Sequence, residues 1–329
     1  MTDTLPHGFT PQRRYYPFSR FLRERFGKRV HRVTVDGRFT CPNVDGTVAV
    51  GGCVYCDNRS FSPNRRLPRR SVAAQVEHGV ELMRKRYGAE KFLAYFQAGT
   101  NTYAPVEKLK RLFDEGLRHP DVVGLMIGTR PDCVPDPILD LIQGYAKDRW
   151  VCLELGLQTI HDRSLDWMNR GHHFDSFVDA VNRSRGRGLD LCAHVILGLP
   201  GESHADMMAT AEVCASSGLN GVKIHNLHVV RDTPMERMFH GGEVRMFERD
   251  EYVSVVCDFL ERLPPDMVIH RLNGDAPRDY LVAPAWCLEK TSLLEAIDCE
   301  FNRRGTRQGS RFTPGESPRA RRIPLSLSR

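Results

Sequence analysis

Six short, almost continuously apolar runs recur along the chain, each followed by a helical pattern. No other feature of the sequence limits the fold so tightly. The runs are VHRVTV (30–35), KFLAYFQ (91–97), VVGLMIG (122–128), VCLELGLQ (151–158), LCAHVILGLP (191–200) and VKIHNLHVV (222–230). The intervening spacing predicts helices over 71–88, 105–118, 136–148, 164–171, 174–188 and 204–217. Strands apolar on both faces belong to a parallel sheet covered by helices. The expectation is an α/β core of six β–α units. An open doubly wound sheet and a curved partial barrel both satisfy the pattern, and both place ligands at the C-terminal ends of the strands. Polar residues gather there: Gln97, Thr129 to Asp132, Gln158, Glu202 and His228.

Four segments are expected. Residues 1–29 form a basic lead-in, 30–235 the α/β core, 236–312 a smaller C-terminal α/β extension, and 313–329 a basic, disordered tail. In the extension a helix is read over 246–263, a strand over 267–272 and a largely helical stretch over 284–304.

Hydrophobic residues at 41% suffice for a buried core, and no apolar run reaches the roughly 18 to 20 residues of a membrane span. The N-terminus shows no secretory signal pattern, so a cytoplasmic location is expected. The net charge of +6 is unevenly spread. Residues 12–32 alone carry a net +7, interleaved with Tyr15, Tyr16, Phe18, Phe21 and Phe26. The tail over 313–329 carries a net +3. A basic stretch laced with aromatics suits nucleic acid, and equally a plain solvated surface.

Ten cysteines in a chain of this length do not make a small disulfide scaffold, and several lie in apolar runs as core residues. Three are different. Cys41, Cys53 and Cys56 lie in a loop after the first strand, with eleven residues between the first two and two between the last. Thiolates suit an iron–sulfur cluster or zinc. Three of them leave one iron of a four-iron cluster open to a ligand, whereas structural zinc needs a fourth donor, which His31 or His78 offers. Gly51 and Gly52 permit tight turns and close backbone approach.

The loop CPNVDGTVAVGGCVYC, with YFQAGTNTYA, IGTRPDC, LELGLQT, NRGH, HVILGLPGE, HRLNGDAP, LVAPAW and the late RQG, resembles the radical S-adenosylmethionine (SAM) superfamily. More narrowly it is similar to YhcC/YtqA-like proteins, relatives of the catalytic subunit of Elongator. The likeness runs from about residue 14 to 312, and the eleven-residue gap is a mark of that narrower group. The resemblance implies a partial TIM barrel, a (β/α)6 core. It implies a [4Fe-4S] cluster on Cys41, Cys53 and Cys56 that reductively cleaves SAM to a 5′-deoxyadenosyl radical, with an electron donor such as flavodoxin or ferredoxin.

The same resemblance places Tyr55 near the adenine and Gln97, Thr100 and Asn101 near the methionine amino group. Arg130 and Asp132 follow strand three, as a cofactor contact or as a pair that holds the loop. Glu154 and Gln158 share one face of strand four. Glu154 is read as a cofactor contact, against a buried salt bridge as the alternative. Ile196 and Gly198 belong to the strand that supports the adenine. Cys133 reads as core. Arg271, Asn273, Asp275, Trp286, Cys287 and Lys290 are candidates for the substrate mouth.

The implied substrate is tRNA. With no acetyltransferase-like segment after residue 312, remodelling of an existing wobble-uridine side chain, from carboxymethylaminomethyluridine to aminomethyluridine, is expected over acetyl transfer. The alternatives are a radical enzyme acting on a small metabolite or protein, and a non-enzymatic iron–sulfur or zinc RNA-binding protein.

Overall fold

The computed structural model describes residues 13–314. The first twelve residues, and the expected tail from residue 315 onward, lie outside the described residues.

The chain opens with α1 (Phe18–Phe26), β1 (Val30–Val35), the short α2 (Asn58–Phe61) and α3 (Val72–Tyr87). The β–α alternation continues with β2 (Lys91–Phe96), α4 (Val106–Leu117), β3 (Val122–Thr129), α5 (Asp136–Ala146) and β4 (Trp150–Gln158). Then come α6 (Asp162–Trp167), α7 (Phe174–Ser184), β5 (Asp190–Leu197), α8 (His204–Ser216) and β6 (Gly221–Asn226). The C-terminal part adds β7 (Val229–Val230), α9 (Pro234–His240), α10 (Arg249–Arg262), β8 (Val268–Arg271), β9 (Leu281–Ala283) and α11 (Lys290–Arg304).

Helix boundaries follow local chemistry. Ser71 caps α3 by accepting from the Ala74 N–H, and Gly88 ends it at φ 60°. Ser203 and Asp206 cap α8 reciprocally.

The sheet is parallel throughout, in the order β1-β2-β3-β4-β5-β6-β8. It curls into an open half-barrel. The six expected strands are present, and the C-terminal region donates β8 as a seventh. The expected strand over 222–230 breaks after Asn226. Val229 and Val230 leave the sheet to pair antiparallel with Ala283 and Leu281.

The lead-in segment has a structural task that its composition did not suggest. Ile269 N–H donates to the Tyr16 carbonyl at 2.9 Å, so the chain starts alongside β8. Helix α1 then crosses to β1 beneath the barrel. Phe18 stacks on His270 with ring centroids 4.2 Å apart and meets Trp150 at 6.0 Å. Phe18 and Leu22 are buried with Leu93, Met126, Cys152, Cys192 and Val268, which belong to the lower barrel. Tyr16, Phe21 and Phe26 pack against the same cluster, and Tyr15 is buried in the neighbouring core. The aromatics of the stretch read as suited to nucleic acid therefore plug the end opposite the strand C-termini. Apolar burial of this kind is worth more to the chain than an exposed ring.

Candidate functional site

The cysteine loop runs from the end of β1 into α2. Its eleven-residue gap folds back on itself: Asp45 and Val50 form an antiparallel bridge, and the Val48 N–H donates to the Pro42 carbonyl at 2.9 Å. The excursion returns the chain through Gly51 and Gly52, at φ 85° and 77°. Cys53 then leads directly into Cys56, whose N–H donates to the Cys53 carbonyl at 2.9 Å. The three cysteines are free thiols, with Cys53 buried, Cys41 half-buried and Cys56 exposed.

A second segment clamps this loop. After α6, Asn169 donates to the carbonyls of Val50 at 3.0 Å and Gly52 at 2.8 Å. Asn43 donates back to the Asn169 carbonyl and also to the Cys53 sulfur, the latter at 3.5 Å. Arg170 donates to the Cys53 sulfur at 3.6 Å and to the Gly156 carbonyl at 3.1 Å. Burial works against the charge on Arg170, but Tyr55 and the nearby thiols outweigh it and hold the guanidinium above its ordinary pKa. Gly171, at φ 70°, sits where a Cβ would stand 2.3 Å from the Asn43 side-chain oxygen.

The loop opens on a cavity of about 880 Å³ at the C-terminal ends of the strands. Cys41, Cys53, Tyr55 and Cys56 line it, as do Gln97, Thr100, Asn101, Arg130, Glu154, Gln158 and Ile196. Asp132 and Gly198 are not part of its lining. A Cβ on Gly198 would meet the Phe247 ring at 3.0 Å, so that glycine serves packing.

Several side chains hold the framework. Gln97 donates to the Phe61 carbonyl at 3.2 Å, and Asn101 to the Gly128 carbonyl at 2.8 Å. The Thr100 N–H donates to the Thr40 carbonyl at 3.1 Å. Arg130 forms a two-point pair with Asp132 at 2.9 and 2.8 Å and donates to the Arg170 carbonyl at 2.7 Å. The pair ties the loop after β3 to the turn after α6, and Arg130 itself lines the cavity. Tyr55 packs with Val54, Ile196, Leu199 and Leu227 into an apolar wall.

Glu154 lines the cavity and also belongs to a buried ion pair. Its carboxylate accepts from Tyr95 at 2.5 Å and from Lys223 at 3.1 Å, with His270 at 3.5 Å. Burial alone would raise its pKa; Lys223, then His270 and Tyr95, pull it well below the usual carboxylate range. The donor atoms of Glu154, Cys192 and His270 lie within 4.8 Å of one another, a spacing that one metal ion accepts. Lys223 already supplies the positive charge there. The sequence signals for this pair were an isolated acid in one apolar strand and an isolated lysine in another.

Among the other candidates, Trp286 stacks on Tyr252 at 5.2 Å and donates to the Phe247 carbonyl, so it packs. The Cys287 thiol accepts from Asn226 at 2.9 Å and is pushed by burial to about 12. Cys133 is buried and likewise raised to about 12. Both are core residues. Arg271 and Lys290 pair with Asp275 near the mouth.

The residues fit the cofactors that the loop implies. Soft thiols converge at one side of the cavity, and buried, unpartnered side-chain acceptors, Gln158 Oε1 and Asn101 Oδ1, belong to the same lining. Gln158 holds φ 68°, a conformation rare outside glycine.

Exposed arginines that the charge count over 12–32 overlooked reach the cavity. Residues 58–76 carry five arginines and no acid. Arg59, Arg66, Arg69, Arg70 and Arg278 are exposed, and Arg59, Arg66 and Arg278 line the cavity. The guanidinium groups of Arg59 and Arg66 each lie 5.7 Å from the Tyr280 ring centroid.

Known proteins share these features. Residues 47–214, just over half the chain, match the family model described as the Radical SAM superfamily. Residues 219–303 match the model described as the Radical_SAM C-terminal domain. YtqA of Bacillus subtilis (strain 168) is 41% identical over 94% of this chain and 96% of its own length. YhcC of Escherichia coli (strain K12) is 39% identical over 88% of this chain and 92% of its own. A tRNA uridine(34) acetyltransferase of Methanocaldococcus infernus is 25% identical over 56% of this chain and 34% of its own length. The structure of Methanocaldococcus infernus Elp3 superposes with a TM-score of 0.59 at 21% identity, covering 85% of this chain and 64% of that one, a likeness of fold. No helix among the described residues is long and apolar enough to cross a membrane. The half-barrel, the three-cysteine loop and these relatives agree: the chain belongs to the radical SAM superfamily, in the group of YtqA and YhcC, and is an enzyme that works with an iron–sulfur cluster and SAM.

Proposed function

We propose that this enzyme remodels the side chain of the wobble uridine of tRNA, taking carboxymethylaminomethyluridine to aminomethyluridine: the bond from nitrogen to the carboxymethyl carbon breaks and that group leaves as glyoxylate, with water supplying the oxygen and SAM, ending as methionine and 5′-deoxyadenosine, taking up the two electrons. The observation that carries the reading is three exposed arginines, Arg59, Arg66 and Arg278, in the lining of the cavity that the three cysteines share. Guanidinium groups bind phosphate as paired donors, and several of them at a deep pocket suit a nucleic acid that inserts one nucleotide. Names among the relatives, such as the tRNA uridine(34) acetyltransferase, support the same substrate class.

When bound, the cluster and SAM supply one-electron cleavage and hydrogen abstraction. The chain's own residues orient and enclose. Cys41, Cys53 and Cys56 hold the cluster, with Arg170 and Asn43 donating to the Cys53 sulfur. Tyr55, Ile196 and Leu227 give an apolar wall for the adenine. The unpartnered acceptors Gln158 Oε1 and Asn101 Oδ1 suit the amino group of SAM. Thr100 and Gln97 fix the strand-two loop against the cysteine loop.

Nucleoside analysis of total tRNA from a strain lacking the gene tests the reading. Accumulation of carboxymethylaminomethyluridine with loss of aminomethyluridine is the expected result. An unchanged nucleoside profile would refute it.

A further inference from the structure

Three histidines, His194, His225 and His228, line the cavity, and each has a buried Nε2 with no hydrogen-bond partner. An unpaired buried polar atom costs about 1–3 kcal/mol, so three in one place mark a surface kept for a ligand. His194 and His225 meet edge to face at 4.1 Å.

His228 is the one whose chemistry is fixed. Its Nδ1 lies 3.3 Å from the Asn226 carbonyl. A carbonyl only accepts, so Nδ1 carries the hydrogen. A neutral ring then presents Nε2 as a bare acceptor. The ring is more than nine-tenths buried, and burial pushes its pKa down. Arg271 pushes the same way, while the Asn226 carbonyl and Asp275 oppose. Asn226 is itself locked, donating to the Cys287 sulfur and accepting from the Gly274 N–H at 2.9 Å.

The ring belongs to the substrate side of the cavity. The Phe61 ring stands edge-on to it at 6.3 Å, and Gly274 lies against its Nδ1 edge. Phe61 ends the helix that carries Arg59, and Gly274 lies in the connection that carries Arg278.

We propose that His228 is a specificity-determining residue that reads the N3–H of a uracil ring. This rests on the uridine substrate proposed above. Uracil offers a donor at N3 between two carbonyl oxygens; cytosine offers a lone pair there. A fixed acceptor pairs with the first and repels the second. C5 is separated from N3 by C4, so a base held by its N3 edge turns its C5 side chain to one side of His228 rather than toward it.

The test is binding of the cluster-loaded protein, in the presence of SAM, to matched anticodon stem-loop RNAs with uridine or cytidine at the wobble position. The intact protein is expected to prefer uridine by roughly tenfold, the worth of about one hydrogen bond made rather than opposed. His228→Ala is expected to bring that ratio near one, and His228→Gln, whose amide oxygen accepts, to restore part of it. A ratio that stays unchanged in His228→Ala would overturn the inference, as would a loss confined to SAM affinity, which would assign the ring to the cofactor. A wild type that binds both RNAs equally would overturn it alone. A wild type that binds neither would overturn the tRNA reading and the inference with it.

Discussion

Glu154 lines the cavity and is at the same time one half of a buried ion pair. It faces the barrel interior as the alternation of β4 requires; Oε2 accepts from Lys223 and Tyr95, while Oε1 is buried without a hydrogen-bond partner. Breaking such a pair leaves one buried charge alone. Glu154→Gln is therefore expected to lose about 3–5 kcal/mol in urea unfolding, whereas Glu154→Leu with Lys223→Met should recover most of it. His172 supplies a pH signature. Burial first, then Arg170, lowers its pKa to about 3, with Asp132 opposing. The unfolded chain takes up this proton below about pH 6.5, while the folded chain resists until about 3. The stability it contributes is thus full above about pH 6.5 and is lost as pH falls through that window. His172→Gln should flatten the fall by up to about 1.4 kcal/mol per pH unit, read from urea midpoints of the cluster-free protein between about pH 6.5 and 4.5.

At the scale of elements, the cysteine loop and the turn after α6 act as one unit. Asn169, Arg170 and Gly171 hold the loop from the far side of the site. Gly171→Ala adds a Cβ 2.3 Å from the Asn43 oxygen at a φ of 70°. It should displace Asn43 and Cys53 and lower iron content per chain after reconstitution, while circular dichroism keeps the wild-type shape. What the sequence made legible divides along the same line. The six strands could be read because each carries an apolar face and most are nearly continuously apolar, and the three cysteines because they share one loop. Arg170 could not be tied to Cys53, which lies 117 positions away, nor Lys223 to Glu154 at 69 positions. The break after Asn226 was hidden for the same reason: its cause is pairing with β9, which no local pattern announces.

At the scale of the whole molecule, the two basic regions sit at opposite ends of the barrel. Arg23, Arg25 and Lys28 are exposed on the plug below, and Arg59, Arg66 and Arg278 are exposed in the cavity lining above. Charge alone does not tell them apart; position relative to the cysteines does. Replacing Arg59, Arg66 and Arg278 by Glu should weaken tRNA binding and lower the slope of log affinity against log salt by about one for each phosphate no longer neutralised. The same change at Arg23, Arg25 and Lys28 should leave that slope nearly unchanged. Filter binding across a salt series separates the outcomes.

The plug has a consequence for the order of events. A vessel sealed beneath by Phe18 and Leu22 fills and empties through its mouth. Whatever sits deepest must arrive first and depart last. A large RNA seated on the rim would be a stopper, holding the spent small molecule inside until it leaves. Steady-state kinetics should then be compulsory-ordered, with SAM first and RNA second, and a non-reactive RNA should slow the exchange of bound SAM.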